Sequence, residues 1–166
     1  MQTIMITGCS SGFGLETARY FLEQGWKVIA TMRAPQEGVL PASDRLRLVR
    51  LDVTSAQSIA EAIAEAGEID MLVNNAGVGM LNALEGASRE AIADLFATNT
   101  LGTIAMTQAV IPRFRARRSG TIVNITSAVT LQPMPLLAVY TASKAAVNAF
   151  TESLALELRA FNIRVG

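Results

Sequence analysis

The chain has 166 residues, 51% of them hydrophobic, which excludes disorder and suits one folded domain burying about two thirds of its unfolded surface. Fourteen basic residues balance fourteen acidic ones, leaving no overall field to gather nucleic acid or an anionic membrane, so the expected partner is small or neutral. Histidine is absent and Cys9 is the single cysteine, which excludes Ser-His-Asp hydrolases, histidine zinc sites and an internal disulfide.

The N-terminus lacks a basic region followed by an apolar stretch and a cleavage site, and no apolar run approaches the roughly 18 residues of a membrane span. A soluble, cytoplasmic protein is expected. In chain order, "TIMIT" at 3–7 predicts a first strand, and a helix follows from about Phe13 to Gln24 with Gly25 as its C-cap. "KVIATM" at 27–32 predicts a second strand, and a Pro- and Gly-containing loop covers 34–44. "LRLVRL" at 46–51 alternates apolar with charged residues, which places this third strand nearer a sheet edge. Ser55 suits the N-cap of a helix to Ala66, and "DMLVN" at 70–74 predicts a fourth strand. A helical pattern with a break runs from Ser88 to Arg117, "GTIVNI" at 120–125 predicts a fifth strand, and "LQPMP" at 131–135 is a loop. A last helix is expected from Ala138 to Phe161, before "FNIRVG" begins a sixth strand.

This alternation of short β-branched runs with helices argues for βαβ units: an α/β fold with a parallel, doubly wound sheet covered by helices on both faces. Residues 1–166 show no repeat or linker and are expected to form one domain. The arginines of "PRFRARRSG" at 112–120 are read as favouring the negative end of their own helix. No aromatic residues interleave there for base stacking.

"TGCSSGFG" at 7–14 lies where the first strand turns into the first helix. Gly8, Gly12 and Gly14 permit a tight turn, close backbone approach and close helix packing, and Ser10, Ser11 and Phe13 complete the loop. Such a junction leaves helix N-terminal amides free to bind the phosphates of a dinucleotide, although a turn that merely needs glycine is the plain alternative. About 20 residues on, where an acidic side chain would bind a ribose 2′-hydroxyl, stand Met32 and Arg33. With a guanidinium and no carboxylate, the site favours a 2′-phosphate, hence NADP(H) over NAD(H). The alternative is an arginine solvated at a strand end.

"YTASK" at 140–144 puts one of two tyrosines four positions before one of two lysines. On a helix Tyr140 and Lys144 then share a face, where the ammonium favours the phenolate and makes a tyrosine usable as acid and base. A core aromatic beside a solvated lysine is the alternative.

"TGCSSGFG", "LDVT" at 51–54, "NNAG" at 74–77, "NTLG" at 99–102, "GTIVNITS" at 120–127 and "YTASK" stand in one order that resembles the short-chain dehydrogenase/reductase family over the whole chain. The resemblance implies a Rossmann-type domain that binds a nicotinamide dinucleotide. Asp52 and Val53 would lie at the adenine, and Asn75, Ala76 and Gly77 beside the cofactor. It also implies a tetrad in which Asn99 holds a relay water, Ser127 binds the substrate oxygen, Tyr140 is the acid/base and Lys144 binds the nicotinamide ribose. "TGCSSGFG" with "ATMR" resembles the NADP-preferring branch that includes steroid and retinol dehydrogenases. The implied reaction interconverts a secondary alcohol and a ketone or aldehyde, and the implied assembly is a homodimer or homotetramer. A dinucleotide-binding redox sensor without turnover is the rival, and the G-x-x-x-G-x-G spacing disfavours an extended epimerase or dehydratase. Met80, Leu81, Leu131, Met134, Leu136 and Leu137 suggest an apolar substrate wall, or equally ordinary core. Family members continue past the sixth strand, so the C-terminal part of the fold and half of the pocket are expected to be missing here.

Overall fold

The computed structural model describes residues 1–166. Strand β1 (Thr3–Ile6) leads to helix α1 (Gly12–Glu23), and β2 (Lys27–Met32) and β3 (Leu46–Arg50) precede α2 (Ala56–Ala66). Strand β4 (Met71–Asn74) is followed by α3 (Arg89–Phe96) and α4 (Gly102–Arg117). Strand β5 (Gly120–Asn124), helix α5 (Ala138–Leu158) and β6 (Ile163–Val165) complete the chain. The strands form one sheet in the order β3-β2-β1-β4-β5-β6, and all five pairings are parallel. This is the expected Rossmann-type α/β fold, and its strand order reverses between β1 and β4, where such sheets open a crevice at their C-terminal edge.

Period-two alternation sends adjacent side chains to opposite faces, and here each face carries a buried apolar cluster, although Met71 and Val123 on the α1 side are only half-buried. Met5, Ile29, Leu72 and Ile122 pack beneath α2, α4 and α5, against Ile63, Val110 and Leu154. Ile4, Ile6, Val28, Ala30 and Val73 pack on the other face with Ala18 and Leu22 of α1. β3 lies at the sheet edge, as its alternation predicts.

Local signals account for most element ends. After α1, Gly25 sits at φ 83° and donates its N–H to Leu22 O, while Trp26 N–H reaches Phe21 O. Together these bonds make the Schellman arrangement, and the Phe21 and Trp26 rings meet edge to face at 5.0 Å across it. Ser55 caps α2 by accepting the Ser58 N–H. The break in the 88–117 helical pattern is a π-helical turn at Ala97–Leu101.

Arg115 and Arg117 stand in the last turn of α4, as expected, and the arginines of 113–118 also staple neighbouring segments. Arg113 donates to Ile63 O and Gly67 O at the end of α2, Arg117 to Ile69 O, and Arg118 to Ala160 O. Arg115 lies over the Phe161 ring at 4.1 Å. Free carbonyls at the C-terminus of α2 attract a cation as readily as those of α4, and they lie within reach. Leu81, Leu131, Met134 and Leu136 are exposed, which removes core packing as their role. Their two loops are joined by the Asn82 N–H on Leu136 O at 2.9 Å. No helix is long and apolar enough to cross a membrane.

Candidate active site

A cleft of about 970 Å³ runs along the C-terminal edge of the sheet. Strand order fixes the sequence of its walls: Asp52–Thr54 after β3, Arg33 after β2, the glycine loop after β1, Asn75–Gly79 after β4, and Ile125–Ala128 after β5. Tyr140 and Lys144 of α5 line its far end. Of the residues singled out from sequence, Gly8, Ser10, Ser11, Phe13, Arg33, Asp52, Val53, Asn75, Ala76, Gly77, Ser127, Tyr140 and Lys144 face this one space. Gly12, Gly14 and Asn99 do not line it.

Gly14 explains its place by contact. A Cβ there would lie 2.3 Å from Gly8 O and 2.4 Å from Asn75 Nδ2, so the first turn of α1 can press onto the loop only through glycine. The loop is then clipped to the end of β4. Thr7 Oγ1 accepts the N–H groups of Asn75 and Ala76 at 3.0 and 2.9 Å, and Asn75 Nδ2 donates to Thr7 O and Gly8 O. Ser11 precedes α1 without using its side chain as a cap, so the first amides of the helix keep their hydrogen-bonding capacity for a ligand. Cys9, within the loop, is buried and donates to Ile6 O, and burial pushes its thiol up to about 12, so it carries no nucleophile at neutral pH.

At the β2–β3 end, Asp52 Oδ1 accepts the hydroxyl and N–H of Thr54 at 2.7 and 2.9 Å. These bonds, followed by the nearby Arg33 and Arg50 charges, hold the carboxyl below its ordinary range. Arg33 is exposed beside it.

At the other end Lys144, 5% exposed, donates from Nζ to Ile125 O at 2.8 Å. Burial draws its ammonium down from the ordinary 10.5. A Cβ on Gly77 would lie 3.3 Å from both Lys144 Nζ and Asn99 Oδ1, so the two side chains converge on that glycine. Asn99 is fully buried in the π-helical turn. Its Oδ1 accepts Val78 N–H at 2.8 Å, and its Nδ2 donates to Val78 O and to Ser143 Oγ. Thr100 Oγ1 adds a bond to Ser143 O, and Ser143 Oγ donates to Tyr140 O. The extra residue of a π turn thus lets two successive side chains, Asn99 and Thr100, grip α5 between Tyr140 and Lys144. Ser127 stands at the N-cap of a short 3₁₀ turn, Ala128–Thr130, with its Oγ accepting Val129 N–H at 3.4 Å.

Sequence reasoning gave no role to Thr7, Thr100, Ser143 or Thr54. All four lie inside the quoted motifs, and for Thr7 and Ser143 the signal was position: a hydroxyl abutting a glycine loop and one between the two titratable groups.

The chain matches the short chain dehydrogenase family model over residues 2–166. It belongs to that family. It is 42% identical to a 3-ketodihydrosphingosine reductase of Bacteroides thetaiotaomicron, over 99% of this chain and 61% of that protein. It is 41% identical to retinol dehydrogenase 8 of Bos taurus, over 98% of this chain and 56% of that protein. The chain therefore spans about three fifths of the length of the curated relatives it matches. Among solved structures, a closed form of serine dehydrogenase complexed with NADP+ superposes with a TM-score of 0.91 at 36% identity, over 99% of this chain and 69% of that one. A 3-ketoacyl-(acyl-carrier-protein) reductase from Brucella melitensis complexed with NADH superposes with a TM-score of 0.92 at 31% identity, over 99% and 72%.

Proposed function

We propose that the protein is an NADP-dependent oxidoreductase that interconverts a secondary alcohol and a ketone or aldehyde. The observation that carries this reading is the placement of Tyr140 and Lys144 in the same cleft as the glycine loop and Arg33. The cleft has the size and the donors for a dinucleotide: free amides at the start of α1 for phosphates, Arg33 for a 2′-phosphate, and Asp52 with Val53 toward the adenine. Asn75, Ala76 and Gly77 would form its floor, and Lys144 would hold the nicotinamide ribose. Solved relatives carry either form, and NAD(H) is the less favoured here because Arg33, with no carboxylate in the place that would take a ribose 2′-hydroxyl, suits a 2′-phosphate.

When bound, the nicotinamide supplies hydride to the carbonyl carbon or takes it from the alcohol. The chain's own groups handle the oxygen and its proton. Ser127 hydroxyl donates to the substrate oxygen, where negative charge develops, and Tyr140 gives that oxygen its proton in reduction or removes it in oxidation. Of the three ammonium protons of Lys144, one is spent on Ile125 O, leaving two for the phenol side and the ribose. Asn99 has both amide hydrogens engaged and one Oδ1 lone pair on the Val78 N–H, which leaves the other lone pair to hold a water of the proton relay. Residues 1–166 would be the dinucleotide-binding domain, acting in a homodimer or homotetramer on a small apolar alcohol or carbonyl compound.

The test is Tyr140→Phe in the full-length protein, followed by NADPH oxidation over a panel of cyclic, aryl and long-chain ketones and aldehydes. Turnover should fall by about 10²–10⁴ while NADPH affinity holds, since only the proton-transfer group is lost. Near-normal rates reject Tyr140 as the acid. Tight NADPH binding by the wild type without turnover of any panel member would instead favour a redox sensor.

A further inference from the structure

The turn that presents Ser127 is only three residues long, Ala128–Thr130, and such a turn has little stability of its own. Ser127 Oγ is held by a single long contact, 3.4 Å from Val129 N, so the direction of the hydroxyl depends on the backbone beneath it. That backbone is fastened from α5. Ser127 O accepts the Thr130 N–H at 3.1 Å and the Thr130 hydroxyl at 2.8 Å. Thr130 Oγ1 in turn accepts Asn148 Nδ2 at 2.9 Å. A threonine hydroxyl has one proton, and here it is given to Ser127 O, so the chain runs one way from amide to hydroxyl to carbonyl and each bond polarises the next.

Asn148 is four positions past Lys144 and eight past Tyr140 on α5, hence on the same helical face. Lys144 fixes Ile125 O, two residues before Ser127, and Asn148 fixes the turn after it. The Ser127 segment is thereby tied on both sides to the helix that carries the phenol.

We infer that Thr130 and Asn148 are positioning residues that act through the Ser127 carbonyl to hold the Ser127 hydroxyl in register with Tyr140. The inference rests on the acid–base reading given above. Neither residue lines the cleft or touches the reacting atoms; each serves by keeping one donor in place.

The test uses the full-length protein with NADPH and the ketone of that panel turned over fastest by the wild type. Thr130→Val keeps the side-chain shape and the Thr130 N–H bond but removes both side-chain hydrogen bonds. It should lower kcat by on the order of tenfold, as expected for displacing a catalytic group by a fraction of an ångström, and leave NADPH affinity unchanged. Thr130→Ser should restore the rate, and Asn148→Ala should fall between the two. In a Ser127→Ala background Thr130→Val should add nothing, because the group it positions is gone. A purely structural role would instead give the same loss in both backgrounds and would overturn the inference, as would wild-type kcat in Thr130→Val. If Ser127→Ala alone keeps a normal rate, the acid–base reading fails and the positioning role falls with it; if Ser127→Ala is crippled but Thr130→Val is not, only the inference fails. Hydrogen exchange gives a readout free of turnover: amides of 127–132 should exchange faster in Thr130→Val, and unchanged exchange overturns the proposal whatever the rates.

Discussion

Gly14→Ala should be more damaging than Gly12→Ala, the neighbouring single-methyl insertion in the glycine loop. The new Cβ would lie 2.3 Å from Gly8 O, 2.4 Å from Asn75 Nδ2 and 3.0 Å from Gly8 C, and two of these three atoms are backbone that cannot rotate away. Overpacking of this kind costs about 1–3 kcal/mol. Moving Asn75 aside also weakens its bonds to Thr7 O and Gly8 O, at 2.9 and 3.1 Å, each worth about 1 kcal/mol. Against this, alanine in a helix gains about 1 kcal/mol over glycine. The balance is a loss of about 2–4 kcal/mol, which for a chain of this size lowers Tm by roughly 4–16 °C. Gly12→Ala is the control. At φ 59° with nothing within 4 Å of its Cβ, it meets only the left-handed backbone penalty, about 1–2 kcal/mol. Thermal unfolding of both variants by circular dichroism, without nucleotide, decides the matter. A Gly14→Ala protein as stable as wild type, or more stable than Gly12→Ala, would refute the claim that close packing rather than backbone freedom requires glycine there.

Arg33→Ala should weaken NADPH binding by about 10–100-fold, the worth of a charge-assisted hydrogen bond, with NADH affinity unchanged; a titration in which both cofactors weaken equally would remove the phosphate role. Lys144→Met should abolish most turnover and also change the pH dependence of stability. The ammonium is held below its ordinary 10.5 in the folded chain by burial, so the unfolded chain keeps that proton to higher pH. Stability therefore rises with pH between the folded value and 10.5. Urea midpoints measured across that window should flatten in the methionine variant, and an unaltered slope would mean that Lys144 is not buried as a charge.

The strands were legible because each is a short apolar run with one register of in-out alternation, and the edge position of β3 followed from the charges in "LRLVRL". Element ends were legible where a residue has only one use, as with Gly25 at positive φ and Ser55 as a cap. The π-helical turn was legible only as a weakness in a long pattern. "ATNTL" contains no glycine or proline, and its extra residue is stabilised by Asn99 bonds to Val78 and Ser143, partners 21 and 44 positions away. The further bonds of the arginines were hidden for the same reason. Their own helix end is visible in sequence, whereas the carbonyls of α2 that they hold come near only through the fold. The cleft residues were found because motif residues gather at strand ends, but the hydroxyls that brace them carry no local pattern.

Those braces share one geometry. Along α5, Ser143 is gripped by Asn99 and Thr100, Lys144 holds Ile125 O, Asn148 holds Thr130, and Thr151 accepts Asn124 Nδ2 at 2.8 Å. Lys144, Asn148 and Thr151 recur at spacings of four and three, so they form one polar stripe down the helix face that meets β5. The stripe continues into the sheet, where Asn124 Oδ1 accepts Asn74 Nδ2 from its register partner on β4 at 2.9 Å, and the same nitrogen reaches Thr107 on α4. Apolar residues at these places would bury as much surface and avoid the cost of Asn74 Oδ1, which is buried without a partner. They would also leave α5 free to slide or turn by a fraction of an ångström, because apolar contacts are non-directional. Hydrogen bonds at i, i+4 and i+7 allow one rotation and one height. Placing Tyr140 and Lys144 on the same helix makes that single setting the one in which both groups face the cleft.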